Sequence, residues 1–204
     1  MKSTLLLAVC LSLSVVVNAQ TKKTIRKTAT TVKKASSTPS ANGKFKFSSE
    51  GFINDTDQKD YVVITASGKT SRDLKSSIIS TLSSMYSNPS KVISTLGDNI
   101  INVNGFASDA FVTDAVISFK HYSFTYNIKI EVKDGKIKIE SPSFSKIIER
   151  DVPLIGSATD KYIDTSSLFK ELSKAGDQYQ AKVEEIINTH ITKIISGLSS
   201  NSDW

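Results

Sequence analysis

Residues Thr113 to Phe144 read TDAVISFKHYSFTYNIKIEVKDGKIKIESPSF, and they constrain the fold more than any other stretch. The Asp134-Gly135 pair predicts a tight reversal, because a two-residue hairpin turn needs positive φ at its central positions and Asp-Gly tolerates it. Before the turn, Tyr122, Phe124, Tyr126, Ile128, Ile130 and Val132 alternate with His121, Ser123, Thr125, Asn127, Lys129 and Glu131. Successive side chains of a strand point to opposite faces, so one face is apolar and the other wet. After the turn, Ile137 and Ile139 alternate with Lys136, Lys138 and Glu140. The predicted element is a long hairpin in an antiparallel sheet covered on one side. The apolar parity shifts between Phe119 and Tyr122, which implies either a bulge or a further turn near Lys120-His121.

The segments around this hairpin predict an α+β domain over residues 44–204. Lys44 to Phe47 alternates and starts a strand that Phe52 and Ile53 continue, before a polar turn from Asn54 to Lys59; Tyr61 to Ala66 is strand-like in composition. Thr70 followed by Asp73 approximates a helix-capping box, and Leu74, Ile78, Leu82 and Met85 recur at helical spacing until Asn88-Pro89. Val92 to Leu96 and Ile100 to Phe106 suit a strand pair around Gly97-Asp98-Asn99. Ser145 to Asp164 reads as connection, broken by Pro153 and Gly156 and pinned by a few apolar residues. From Thr165 an apolar stripe runs through Leu168, Leu172, Tyr179, Val183, Ile187, Ile191, Ile194 and Leu198 and stays in phase across Gly176. It predicts one long amphipathic C-terminal helix, able to cross the sheet and project beyond it.

The N-terminal residues are of a different kind. Lys2, an apolar run from Leu5 to Val17 and a small-residue site at Val17-Asn18-Ala19 predict a signal peptide over residues 1–19, cleaved near Ala19. The run is shorter than the roughly 20 residues that span a bilayer. Cys10 lies within it, with Val9 where a lipoprotein signal would place a small residue, so the chain after the leader contains no cysteine. That excludes disulfides, thiol catalysis and cysteine metal sites in the exported product. The formal charge of +6 is localised: eight basic residues and no acidic one lie between Lys22 and Lys46, against seventeen basic and twenty acidic from Glu50 onward. Residues 20–43 therefore predict a flexible basic linker, a solvated spacer with at most weak electrostatic contact to an anionic surface.

Candidate chemistry is sparse. Asp55, Asp57 and Asp60 approach a calcium loop, but Lys59 and Asp60 occupy the positions that should hold a third donor and a glycine, so a polar turn is the expectation. Asn54-Asp55-Thr56 would be a glycosylation acceptor only in a eukaryotic host. His121 falls on a wet strand face and His190 beside the helical stripe, with no motif that joins them as a catalytic pair. No nucleophile elbow, phosphate loop or dinucleotide fingerprint occurs. Tyr122, Phe124 and Tyr126 could stack on a ligand, but a core face against the helix is the simpler reading. The sequence thus points to no catalytic, metal or cofactor residues.

Taken with the leader, YVVITASG, SRDLKSSIISTLSSMYS, NIINVNGF and FTYNIKIEVKDGKIKI resemble a family of secreted bacterial proteins of unknown function with a fold like that of the TATA-binding protein (TBP), over about residues 45 to 145. The resemblance implies a curved antiparallel sheet with helices packed on one face and carries over no catalytic residue. Nucleic acid is not the expected partner, because Glu131, Asp134 and Glu140 offset Lys129, Lys133, Lys136 and Lys138 on the wet hairpin face. The expected protein is a secreted or periplasmic, non-enzymatic envelope module that binds a protein through the open sheet face or the C-terminal helix. The alternative is a carrier of a small lipid or metabolite, held in a cavity between helix and sheet.

Overall fold

The computed structural model describes residues 38–200; the expected signal peptide and most of the linker lie outside them. The strands are β1 (Ser40–Ala41), β2 (Phe45–Ser48), β3 (Gly51–Asn54) and β4 (Tyr61–Thr65), followed by helices α1 (Ser71–Ser83) and α2 (Pro89–Val92). Then come β5 (Ile93–Leu96), β6 (Ile100–Ala115), β7 (Ser118–Lys133), β8 (Lys136–Glu140), β9 (Ser143–Pro153) and β10 (Thr159–Ile163). Two helices follow, α3 (Thr165–Ala175) and α4 (Asp177–Ser200).

The central element is β7. One edge pairs with β6 along its whole length, from Ile100 opposite Glu131 to Ala115 opposite Ser118. The other edge is divided: Ile130 to Lys133 pair with β8, and Ser118 to Asn127 pair with β9. β4 and β1 extend the sheet beyond β8, β5 extends it beyond β6, and β10 pairs with β9. All pairings are antiparallel. The Asp134-Gly135 turn forms as expected, with Gly135 at φ 71°. The parity shift resolves without a break at Lys120-His121: the reversal lies at Val116-Ile117, and Phe119 sits on the uncovered face.

Burial follows the alternation. Tyr122, Phe124, Tyr126, Ile128, Ile130 and Val132 are buried together with Val62, Ile64, Ile101, Val103, Ile137 and Ile139. Leu74, Ile78 and Leu82 of α1 and Val183, Ile187, Ile191, Ile194 and Leu198 of α4 close over this face. The architecture is α+β, an antiparallel sheet with helices on one side. A small hairpin, β2–β3, contributes Phe47 and Phe52, which pack edge to face with Phe169 of α3 at 5.8 and 6.4 Å. Its backbone is fixed to α4: Asn188 exchanges hydrogen bonds with Phe45 N and O at 2.9 and 2.8 Å, and Glu184 accepts from Phe47 N at 2.7 Å.

Several expectations are corrected. The C-terminal stripe is not one helix, because Gly176 at φ 99° ends α3 and α4 starts at the next residue. Nor does α4 project, since its apolar stripe is buried as far as Leu198 and Lys69 Nζ donates to Leu198 O at 2.6 Å. Residues 145–164 are not connection but most of the β9–β10 hairpin. α1 stops at Ser83, so Met85 and Tyr86 lie beyond its end, and Pro89 opens the short α2. The expected linker enters the folded unit at its end, where Ser40 and Ala41 pair with β4 and Asn42 exchanges hydrogen bonds with Val63.

Two bulges flank β7 at one level. Between Ala107 and Phe111 the β6 strand carries extra residues, with Asp109 at φ 46°, and between Ser145 and Ile148 β9 is displaced, with Lys146 at φ 47°. Bulges on both neighbours concentrate twist there. Beside the first, Gly105 faces Tyr126 so closely that a Cβ would overlap the phenol ring. Gly105→Ala should therefore lower stability by about 1–3 kcal/mol, as overpacking does, read as a fall in the urea midpoint without loss of the far-ultraviolet spectrum.

Candidate functional site

The uncovered face of the eight-stranded sheet is a broad candidate surface, because each of its strands has a side turned away from the helices. At the Asp134-Gly135 end the charges neutralise one another: Lys129 Nζ lies 3.1 Å from both Glu131 and Glu140, and Lys138 Nζ lies 3.2 Å from Glu140 and 5.1 Å from the ring centre of Tyr61. Glu140 is held below the usual carboxylate range by these lysines, which outweigh the opposing effect of its partial desolvation. Asp134 faces α1 and accepts from Ser71 N at 2.6 Å. The middle is neutral, with Asn127 donating to Asn104 at 2.7 Å and Phe106 standing 58% exposed opposite Thr125.

At the level of the bulges the face becomes more polar. His121 Nδ1 lies 3.1 Å from Asp109 Oδ1, and Ser123 Oγ accepts from Asp109 N at 3.0 Å. Opposite His121, Arg150 makes a two-pronged ion pair with Asp160 at 2.7 and 3.0 Å. Sequence reasoning placed His121 on the wet face but missed Asp109, which reaches it only because the bulge turns the backbone into the left-handed region. Asp is among the residues that tolerate that region, the only signal that was available.

The two histidines keep separate company. His190 is 2% exposed under the sheet, and its Nδ1 faces the carbonyls of Ile186 and Ile187 at 3.1 and 3.3 Å. Carbonyls only accept, so Nδ1 carries the proton and Nε2 accepts from the Tyr86 hydroxyl at 2.6 Å, with the Tyr126 hydroxyl at 3.4 Å. Burial pushes both phenols up from their ordinary range and pushes His190 down. In the acidic turn, Asp55 and Asp57 have side-chain partners and Asp60 a backbone one. Asp55 accepts from Lys44 N at 2.9 Å, Asp57 pairs with Lys59 at 2.9 Å, and the Asp60 carbonyl accepts from Ser141 N at 2.7 Å. Among the described residues no group of three or more His, Cys, Asp and Glu side chains has metal-binding geometry.

Tyr122, Phe124 and Tyr126 are buried on the helix-covered face, each against another ring. Tyr122 stacks on Phe111 at 4.4 Å, Phe124 meets Phe144 edge to face at 4.9 Å, and Tyr126 does the same with His190 at 5.4 Å. A cleft of about 400 Å³ lies elsewhere, between the β2–β3 hairpin and the start of α3. Phe52, Phe144 and Phe169 floor it, and Ser48, Glu50, Asp60 and Ser143 stand at its rim.

Fold and surface together define an α+β domain with one helix-covered and one open sheet face. No protein-family model and no curated protein matches the chain. Among solved structures, a TBP-like protein from Parabacteroides distasonis is similar, with a TM-score of 0.45 and 10% identity over 70% of this chain and 92% of that one.

The buried histidine predicts a pH dependence. Its folded-state pKa is depressed, so the unfolded chain takes up a proton first as pH falls, and the stability that neutral His190 contributes is complete above the ordinary value of about 6.5 and declines below it. The urea midpoint should hold steady from pH 8 to 7 and fall between pH 6.5 and 5, and His190→Leu should flatten that slope.

Proposed function

We propose that this protein is an exported, non-enzymatic module of the bacterial envelope that binds a protein partner through its open sheet face, and that it belongs with the secreted, TBP-like proteins of unknown function that its sequence resembles. The observation that carries the reading is the asymmetry of the sheet. One face is closed by α1 and α4, while the other presents Phe106 among neutral side chains with no element of the described chain over it. An exposed aromatic amid polar groups is the kind of anchor that protein interfaces use. The outer face of α4, with Lys182, Glu185, Thr192 and Lys193 exposed, offers no such anchor, so the sheet is favoured over the helix. Lysines paired on the same face leave little free positive charge for nucleic acid.

A photo-crosslinking residue in place of Phe106 tests this in cells that export the chain. A discrete higher-mass adduct is expected, absent when the same probe replaces Thr192 on α4. No adduct at 106, or the same pattern at both positions, would remove the sheet-face reading.

A second reading is a small-ligand carrier, and the cleft at Phe52, Phe144 and Phe169 favours it. Its volume of about 400 Å³ lies within the roughly 300–1,000 Å³ of ligand pockets. Native mass spectrometry of the purified chain should then show a bound small molecule that Gly51→Trp displaces.

A further inference from the structure

The two hairpin ends beside Ser118 differ from the rest of the surface. Val116 and Ile117, at the β6–β7 reversal, are 98% and 72% exposed, and Leu154 and Ile155, at the β9–β10 reversal, are 68% and 94% exposed. The reversals lie side by side: Ser118 is opposite Pro153 in the ladder, and Leu154 N donates to Ile117 O at 3.0 Å. Neither carries a charge, since residues 115–119 are Ala-Val-Ile-Ser-Phe and residues 152–158 are Val-Pro-Leu-Ile-Gly-Ser-Ala. Of the apolar residues expected to pin this connection, Ile147 is buried and Ile163 packs on the core, whereas Leu154 and Ile155 face solvent.

From this pairing of uncharged tips we infer that the protein docks on a lipid bilayer by inserting Val116, Ile117, Leu154 and Ile155 below the headgroups of neutral lipids. Area and residue type decide between lipid and a protein. The four side chains stand out at two adjoining hairpin ends, and even fully covered they supply less than the roughly 800 Å² per partner that stable protein interfaces bury. They are aliphatic, whereas binding hot spots favour Trp, Tyr and Arg. A fluid acyl phase accepts an aliphatic tip without a matching pocket. The backbone suits insertion too: Pro153 has no N–H and Leu154 N is satisfied by Ile117 O, which reduces the cost of placing turns in an apolar medium.

Charge specifies the lipid. The first charged residues behind the tips are Asp114, Lys120, Asp151 and Asp160, and Lys120 and Arg150 are already paired with Glu149 and Asp160. This collar has no surplus positive charge to draw the domain to anionic headgroups, so attraction comes from the apolar tips and is insensitive to salt. Among the described residues no helix is long and apolar enough to cross a membrane. The inference is independent of the sheet-face reading, because the tips lie at the end of β7 opposite the Asp134-Gly135 turn and leave Phe106 uncovered.

The test uses the full chain with Cys10→Ser and a single cysteine, at Ile155 or at Asp98, labelled with an environment-sensitive dye. Asp98 sits at the opposite end of β7, so it reports contact made by that end of the sheet instead. With phosphatidylcholine vesicles the dye at 155 should shift to the blue and be quenched by spin-labelled lipid, equally at 50 and 500 mM salt, while the dye at 98 stays unchanged. Ile117→Asp with Leu154→Asp in the Ile155→Cys chain should cut the tip signal at least tenfold and, at such exposed positions, leave the melting temperature in place. No shift at 155, a shift only at 98, or a shift at 155 that appears without vesicles as protein concentration rises would each overturn the proposal, the last in favour of a second copy.

Discussion

Six apolar side chains at every second position of β7, from Tyr122 to Val132, must leave water together, and the rest of the molecule is arranged around that requirement. The period of a strand is two, so a slip of one residue against β6, β8 or β9 would turn the whole set to solvent. Register is therefore fixed on both edges by the same face. α1 and α4 complete the constraint by supplying the apolar stripes that cover it. Burying a side chain of this size is worth about 1.5–3 kcal/mol, so no single contact elsewhere competes with the alternation as the source of the fold.

The helices are placed against this strand by polar contacts at one end of the sheet. Thr70 accepts from Asp73 N, Asp134 in the β7–β8 turn accepts from Ser71 N, and Gly135 N donates to Lys69 O. Orphan donors at the start of α1 are thus satisfied partly by the hairpin the helix lies on, which sets its position along the sheet. Lys69 then extends the connection to the last turn of α4 through Leu198 O. Where α1 meets α4, Gly197 lies so close to Thr81 that a Cβ would overlap its side chain.

What was legible in the sequence follows from how each element declares itself. β7 and β8 alternate strictly and turn at Asp-Gly, and α1 announces its start with Thr70. β10 was missed because all but one of its residues is exposed, which leaves no hydrophobic period to find. β9 was missed because the displacement near Lys146 interrupts its period. The division at Gly176 was hidden by a stripe that stays in phase on both sides of one left-handed residue. His190 was placed beside the stripe, but its link to Tyr86 depends on α1 ending at Ser83, a tertiary outcome that propensity does not carry. The Asp109–His121 contact and the adjoining hairpin tips arise from pairings distant in sequence, and only the ladder brings them together.

The way the chain enters the domain has a mechanical consequence. Residues 40–42 are held by a few hydrogen bonds to the edge of β4 and by Ala41, which is half-buried against the core. Phe45 and Phe47, a few residues later, are buried and latched to Asn188 and Glu184 of α4. A pull delivered through the preceding residues is met first by a short edge seam and then by the hydrophobic core. Under modest load the seam can part while the sheet stays intact, because Phe45 and Phe47 hold the next residues to the core, which makes β1 a releasable edge of the fold.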